Sequence, residues 1–488
     1  MLDSFKGLKI FQLSEYLLLA LFAFVVPFSW RMATFITIAI FAATLLKGIF
    51  EEGFKPNPLQ YQNKFTYIIF IAFWFLYAIS FLYSENTAEA RIQIGRKLPF
   101  FLFPIFFLCS NLSYLNKDRV RTIMYCFVFG ILTLFIVNLL WAGYDVIFEG
   151  FQIKRFSEPD FLKEGTGYIH HTYISLYSCL GIGFCFYELF SQDNIRIKLL
   201  NIISLVMLAL FIVISSSRAG IICASFIFFI MWLWLAFVKK GKKIAFIVGI
   251  VIFCLIFICG LVFKSSINRI TETISNLNNI EKQDRRIGIT IGYKDLLTDK
   301  FWFGVGCGDR SDETLKSYLE KKEELIQNIQ PINNIYYDEF DTNRRECIES
   351  INKKSGGILN DKTYKYAQEM SNKYQCDYNS VRENLATYIN INVAINSECN
   401  AHNQFSDTII AVGIIGLLLF LMMLIIPIYL GIKNKKSDIV LISLVFTIAF
   451  NSLFESVLER QMGILFFVFF YFILFHGTFC QQRIENRS

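Results

Sequence analysis

The stretch IFFIMWLWLAF, at residues 227–237, contains no charged residue and no strongly polar one. It lies in an apolar segment that ends just before KKGKK, at residues 239–243. A helix of about 20 apolar residues crosses the roughly 30 Å hydrocarbon layer of a bilayer. The stretch therefore predicts a membrane-spanning helix with a basic segment at one end.

Apolar segments of this kind recur along the whole chain. The 488 residues are 55% hydrophobic and include 53 phenylalanines, and the mean hydropathy is +0.46. No soluble core needs so much apolar surface. The expected fold is an all-α polytopic membrane protein of about twelve transmembrane helices, with one large, mainly helical outer loop between helices 9 and 10. The predicted spans are 13–29, 32–49, 65–83, 97–110, 121–143, 169–190, 199–215, 219–238, 244–263, 408–431, 437–454 and 461–480.

The distribution of basic residues predicts how these helices are oriented. With the N-terminus inside, the inner connections contain 19 Lys and Arg residues and the short outer connections contain nine. Cytoplasmic loops of membrane proteins are enriched in Lys and Arg. Both termini are therefore expected in the cytoplasm, with the long segment at residues 264–407 on the outer side.

Residues 264–407 are the one long polar segment of the sequence. They include 19 Lys and Arg against 22 Asp and Glu, and two stretches have the apolar spacing of amphipathic helices. We expect three parts: residues 1–263 with helices 1–9, a loop domain at 264–407, and residues 408–488 with the last three helices and a short tail. Four cysteines of the loop leave disulfides possible without fixing a pairing: Cys307, Cys347, Cys376 and Cys399.

The charge pattern argues against two classes of function. The formal net charge is +7, but no soluble stretch has a basic stripe with interleaved aromatic residues, so nucleic acid is not an expected partner. Transporters favour charges or broken helices near mid-membrane, whereas the candidates here gather at one face. A polysaccharide transporter or flippase remains the alternative of another class.

Polar residues at the ends of spans are costly near a membrane and are therefore candidates for function. SSSRAG, at 215–220, joins two spans, and the planar guanidinium of Arg218 suits bidentate phosphate binding. The alternative is an arginine that snorkels at a helix end.

GYIHHTYIS, at 167–175, places His170 and His171 before another span. No third ligand has suitable spacing, so neither a metal nor a cofactor is expected.

A third cluster combines RRIGITIGYKDLLTDKFWFGVGCGD, at 285–309, with NAHNQF, at 400–405. The glycines do not follow a phosphate-loop pattern. They are interpreted as permitting tight turns and close backbone approach at the membrane surface. Neutral His402 can accept a proton at neutral pH and suits a general base. The alternative is a histidine that bonds at a helix N-terminus beside Asn403.

Taken in order, these motifs resemble the O-antigen ligase/polymerase superfamily of membrane glycosyltransferases, over nearly the whole chain. SRAG at 217–220 is similar to the family's serine–arginine–glycine turn, and Arg286 to the arginine that precedes its GxGxGD motif. AHNQF followed by GIIGLLLFL is similar to its HNxF/Y…GxxGLxxFL signature. HHTY at 170–173 and FESVLERQMGILFF at 454–467 resemble the ligase-like branch.

The resemblance implies an O-antigen ligase that transfers a glycan en bloc from a polyprenyl pyrophosphate to an acceptor hydroxyl, such as one on lipid A-core. It implies a metal-independent, inverting reaction with His402 as the base and with Arg218 and Arg286 on the pyrophosphate. Further residues expected to bind substrate are His170, His171, Tyr173, Arg285, Asn403, Glu455 and Arg460.

The resemblance also implies a place in the cell and a set of partners. We expect the chain in the bilayer of a bacterial inner membrane, as a monomer or a weak homodimer, with its active site at the periplasmic face. The alternative within the superfamily is a polymerase that joins repeat units of O-antigen or exopolysaccharide.

Overall fold

The computed structural model describes residues 9–52, 63–148, 171–215, 217–237, 300–314, 316, 402–434 and 438–480. These residues form helices, turns and short loops, with no strand among them. The helices are α1 Ile10–Val25, α2 Trp30–Lys47, α3 Lys64–Ser80, α4 Thr87–Arg96, α5 Pro99–Cys109, α6 Lys117–Phe148, α7 His171–Ser191, α8 Ile195–Ile214, α9 Arg218–Phe237, α10 Gln404–Lys433, α11 Ile439–Ser452 and α12 Gln461–Phe475.

The described helices confirm an all-α protein with many membrane-length segments. Eight segments, one of which consists of α4 and α5 together, are long and apolar enough to cross a bilayer, and α1, α3 and α11 are apolar but shorter. The predicted span at 244–263 and most of the loop domain lie outside the described residues. The count of twelve spans and the placement of the loop in the periplasm therefore remain predictions.

Two of the predicted spans, at 97–110 and 199–215, are longer in the structure. The predicted span at 199–215 belongs to α8, which has 20 residues. The span at 97–110 continues from α4 through α5 and reaches 23 residues. The join lies at Lys97 and Leu98, immediately before Pro99. Proline is well tolerated at the start of a helix, so α5 begins there after a local break.

The phenylalanine-rich helix α12 forms part of the core. Fourteen of its 15 residues are buried, and it packs against α2, α5, α7 and α11. The ring of Phe469 lies 4.2 Å from that of Phe22 in α1, and the ring of Phe470 lies 4.3 Å from that of Phe127 in α6. Such aromatic pairs stabilise a core beyond the burial of their area. Much of the aromatic content thus packs helix against helix.

Helix α10 is broken near its first third. Val412 has φ −135°, and Gly413 has φ 71° and ψ −171°, both outside the helical region. A break of this kind interrupts the i→i−4 hydrogen bonds of the helix and leaves backbone groups to be satisfied from elsewhere. The sequence predicted one uninterrupted apolar span here, so the break is a finding of the tertiary structure.

The glycine-rich segment at 300–309 supplies the missing partners of α10. Three backbone hydrogen bonds join the two segments: Val305 N donates to Ile410 O at 2.7 Å, Gly306 N to Ala411 O at 3.1 Å, and Ile414 N to Phe301 O at 2.9 Å. Gly304 has φ 71°, and a Cβ there would lie 2.4 Å from the carbonyl oxygen of Ile410. The interpretation of these glycines as sites of close backbone approach is confirmed.

Replacing Gly413 by alanine is expected to destabilise the protein by about 1–3 kcal/mol, because the residue has a positive φ. The new Cβ would also lie 2.1 Å from the carbonyl oxygen of Trp302. Thermal unfolding of the purified protein in detergent measures the loss. Gly95→Ala is the matched control, since a Cβ there meets nothing within 4 Å. It is expected to leave the melting temperature unchanged or to raise it. Equal melting temperatures for Gly413→Ala and the wild type would contradict the argument.

Candidate functional site

Several segments that the sequence placed on the outer side meet at one end of the helix bundle. They are residues 84–97, 304–310, 402–408 and 453–460, and we call this end the site end. Hydrogen bonds and ion pairs connect each of these segments to at least one of the others. Which side of a membrane this end faces stays a prediction.

His402 lies at the site end immediately before α10. Its φ of 47° makes it the one non-glycine residue with a positive φ in the described part of the chain. Residues held in this region cost of order 1–3 kcal/mol and cluster at functional sites. The side chain is 27% exposed, although Nδ1 itself is shielded from solvent. Nδ1 lies 3.4 Å from Oε1 of Glu455, so a carboxylate faces one nitrogen of the ring.

Asn403 is the N-cap of α10. Its Oδ1 accepts hydrogen bonds from the backbone N–H groups of Phe405 and Ser406, at 3.0 and 3.2 Å. Its Nδ2 donates to the carbonyl of Leu453 at 3.2 Å. Capping of this kind stabilises a helix start by about 1 kcal/mol. The structure thus uses Asn403 to hold the segment that carries His402 against the loop that carries Glu455.

The same loop contacts the start of α7. Tyr173 is buried, and its hydroxyl donates to the carbonyl of Val457 at 3.3 Å. Arg460 is exposed and precedes α12 as its N-cap residue. Tyr173 therefore positions the loop from within the bundle, while Arg460 faces outward from it.

The SRAG turn joins α8 to α9 close to the start of α7. Ser217 Oγ accepts a hydrogen bond from the backbone N–H of Gly220 at 3.2 Å, so it caps α9. A Cβ at Gly220 would lie 2.5 Å from Oγ of Ser175, so α9 and α7 approach closely here. Arg218 is the first residue of α9. The serine and the glycine thus have local structural roles that place the arginine at a helix start.

Asp309, the acid of GVGCGD, anchors the glycine-rich segment to the turn before α4. Its two carboxylate oxygens accept hydrogen bonds from the backbone N–H groups of Glu85 and Asn86, at 2.8 and 2.7 Å. A Cβ at Gly308 would lie 2.2 Å from the carbonyl oxygen of Asn86.

Cys307 is a buried free thiol, and burial raises its pKa above the ordinary value. The other three loop cysteines lie outside the described residues.

A buried ion-pair network beneath this segment was missed by the sequence analysis. Nη1 of Arg310 lies 2.7 Å from Oδ1 of Asp407, and its Nη2 lies 3.5 Å from Oε2 of Glu459. Burial lowers the pKa of Arg310, but the carboxylates of Glu459 and Asp407 outweigh that effect and raise it above the ordinary value. Ser456 also donates a hydrogen bond to Asp407. Arg310 therefore ties the glycine-rich segment to α10 and to the 453–460 loop.

The network continues to Lys97, at the break between α4 and α5. Its Nζ lies 3.0 Å from Oε1 of Glu459, and both side chains are buried. Burial raises the pKa of Glu459, but Lys97 and Arg310 outweigh it and hold that pKa below the ordinary value. Gln404 accepts a hydrogen bond from the backbone N–H of Leu458 at 2.6 Å. The sequence did contain one signal of this network. Asp407 is an acid at the head of an apolar span, and a charged group in that position needs a partner.

Several predicted site residues cannot be placed. His170, Arg285 and Arg286 lie outside the described residues, and for His171 and Arg218 the structure describes the backbone alone. The structure therefore brings together His402, Glu455 and the loop bearing Arg460. Among the described side chains, no group of three His, Cys, Asp or Glu is arranged to hold a metal ion.

Comparison with known families agrees with the motifs. A family model described as O-Antigen ligase matches residues 203–338. The match includes the SRAG turn, both candidate arginines of the loop domain and the GVGCGD segment, and it confirms the resemblance for that part of the chain. No curated protein matches the sequence. With the eight membrane-length helices, the match supports a multi-pass membrane protein of the O-antigen ligase/polymerase type.

Proposed function

We propose that the protein is a membrane glycosyltransferase that transfers a preassembled glycan from a polyprenyl pyrophosphate to a hydroxyl group of an acceptor. The observation that carries the proposal is His402, strained at φ 47° and set against Glu455 at the head of a membrane-length helix. In this proposal, the head of that helix is where the acceptor hydroxyl meets the lipid-borne donor. The O-antigen ligase match at residues 203–338 adds the chemical class.

In the proposed reaction, His402 takes the proton of the acceptor hydroxyl while the oxygen of that hydroxyl attacks the anomeric carbon of the donor glycan. The bond between that carbon and the pyrophosphate oxygen breaks, and the configuration inverts. Arg218 and Arg286 neutralise the negative charge that develops on the departing pyrophosphate. His170, His171, Arg285 and Arg460 line the surrounding pocket in this proposal. The setting proposed is the periplasmic face of a bacterial inner membrane, with lipid A-core as acceptor.

Glu455 has a defined part in this mechanism. With its carboxylate facing Nδ1, the imidazole is oriented with Nε2 toward the acceptor, and the imidazolium formed by proton transfer gains a neighbouring anion. Glu455 then acts through His402 and does not bind the sugar. Direct substrate binding by Glu455 is the alternative, and the kinetic constants distinguish the two.

Replacing Glu455 by glutamine is expected to lower kcat by about 10-fold or more with little change in KM, because the base loses its orienting anion. Initial rates with purified protein, lipid-linked glycan and acceptor measure both constants. Glu313→Gln is the matched control, since the partner of Glu313 among the described side chains is the exposed Lys316, at 3.9 Å. A raised KM at unchanged kcat would assign Glu455 to substrate binding instead.

A polymerase that joins repeat units is the second candidate, because the family match does not separate the two reactions. The test is the glycan profile of a deletion strain with and without the wild-type gene. For a ligase, long chains accumulate on the lipid carrier while the acceptor stays bare. For a polymerase, single repeat units still reach the acceptor and never grow. If neither pool changes, both assignments are wrong, and a transporter or flippase would be the next hypothesis.

A further inference from the structure

We propose that Phe301, Trp302 and Phe303 form an aromatic wedge that inserts into the lipid interface at the site end of the bundle. Their side chains are 41%, 64% and 60% exposed, although each is large and apolar. The rings of Phe301 and Trp302 pack edge to face with centroids 5.4 Å apart. Three consecutive exposed aromatic residues on a loop indicate a surface that is covered by something apolar. This inference is independent of the glycosyltransferase proposal.

The two neighbouring helices give the depth of the wedge. The carbonyl of Phe301 accepts a hydrogen bond from Ile414 N in α10. The helix rises about 29 Å from Ile414 to its end at Lys433. Just beyond α3, the hydroxyl of Tyr83 donates to the carbonyl of Phe303 at 2.6 Å, and α3 itself rises about 24 Å from Lys64 to Ser80. Exposed lysines at span ends mark the headgroup region, and the hydrocarbon layer is about 30 Å thick.

Two antiparallel helices thus place the wedge at the opposite boundary of the hydrocarbon layer. Trp and Tyr are enriched at this boundary because their rings are apolar and their polar atoms reach water. Trp302, with Tyr83 beside it, fits that position. The exposed lysines lie at the far end of each helix: Lys64 begins α3 and Lys433 ends α10.

The backbone of the wedge is suited to an apolar medium. Irregular backbone next to lipid is costly unless its polar groups are satisfied. The carbonyl of Phe301 accepts from Ile414 N, and that of Phe303 accepts from the Tyr83 hydroxyl. The carbonyl of Lys300 accepts from Gly304 N at 2.8 Å. The segment therefore exposes its aromatic side chains while the carbonyls of Lys300, Phe301 and Phe303 are hydrogen-bonded within the protein.

Bilayer lipid is the partner that fits this surface. The helices bonded to the wedge also expose apolar side chains, such as Ile79 in α3 and Leu418 in α10, and Leu82 is exposed just beyond α3. In helices that span a membrane, such side chains face acyl chains. Lipid contact at the wedge would fix the depth of the segment that continues into Asp309 and Arg310.

Fluorescence quenching tests this proposal directly. The chain contains six tryptophans, and a variant that keeps Trp302 alone, with the others replaced by phenylalanine, is reconstituted in phosphatidylcholine vesicles. Nitroxide near the lipid headgroup is expected to quench Trp302 at least about twofold more strongly than nitroxide deep in the acyl chain. Aqueous iodide is expected to quench it weakly.

A second variant that keeps only the buried Trp234 is the control. Its fluorescence should not be quenched by either nitroxide or by iodide. If the multiple replacements prevent folding, the difference between the wild type and Trp302→Phe gives the same measurement. Strong quenching of Trp302 by iodide without quenching by lipid would overturn the proposal. Protection from both quenchers would also overturn it, because another part of the protein would then cover the wedge.

Discussion

Replacing His402 by alanine is expected to reduce glycan transfer by about 10²–10⁴-fold, because the acceptor hydroxyl loses its general base. In cells, long glycans should accumulate on the lipid carrier while the acceptor stays bare. With purified protein, kcat should fall while binding of the lipid-linked donor is retained, since the pyrophosphate is assigned to Arg218 and Arg286. The rate of product formation and the two glycan pools measure this.

Two further variants show whether proton transfer is the cause. His402→Gln keeps a polar side chain of similar size but cannot serve as a base at neutral pH, so it should be as inactive as His402→Ala. Arg196→Ala changes an exposed residue in the first turn of α8 and should retain full activity. Wild-type rates for His402→Ala, at equal amounts of protein in the membrane, would show that His402 only shapes the start of α10.

Replacing Arg310 by methionine is expected to destabilise the protein by about 3–5 kcal/mol, because removing one partner leaves buried carboxylates without their counter-ion. Asp407 is fully buried and lies 2.7 Å from the guanidinium. Glu459 would keep Lys97 at 3.0 Å, so the loss falls mainly on Asp407. Thermal unfolding of the purified protein in detergent measures the change.

A double variant separates lost charge pairing from lost packing. Arg310→Met combined with Asp407→Asn removes the unpaired charge and should recover part of the stability lost in Arg310→Met. Arg96→Met is the matched control, since Arg96 lies 3.8 Å from Glu89 in a partly exposed pair, and solvent-accessible pairs contribute about 1 kcal/mol or less. If Arg310→Met is no more destabilising than Arg96→Met, the network does not hold the site end together.

The sequence predicted the residues around His402, but it missed the buried ion-pair network beneath them. His402, Glu455, Asn403 and Arg460 were all named from motifs, and the structure places them on two adjoining segments. Polar residues at the ends of apolar spans can be recognised from sequence because the membrane makes them costly. Their roles were less accessible, since the same pattern suits a substrate contact and a helix cap, and Asn403 caps α10 in the structure.

The sequence by itself determined the membrane-spanning class, most of the helix positions and the order of the motifs. Each of these depends on local composition, because about 20 apolar residues suffice to define a span. The tertiary structure alone decided the break in α10, the strained φ of His402 and the network of Lys97, Arg310, Asp407 and Glu459. These features require segments far apart in the sequence to meet, as Lys97 and Glu459 do across 362 residues, so that one segment satisfies the hydrogen bonds and charges of another.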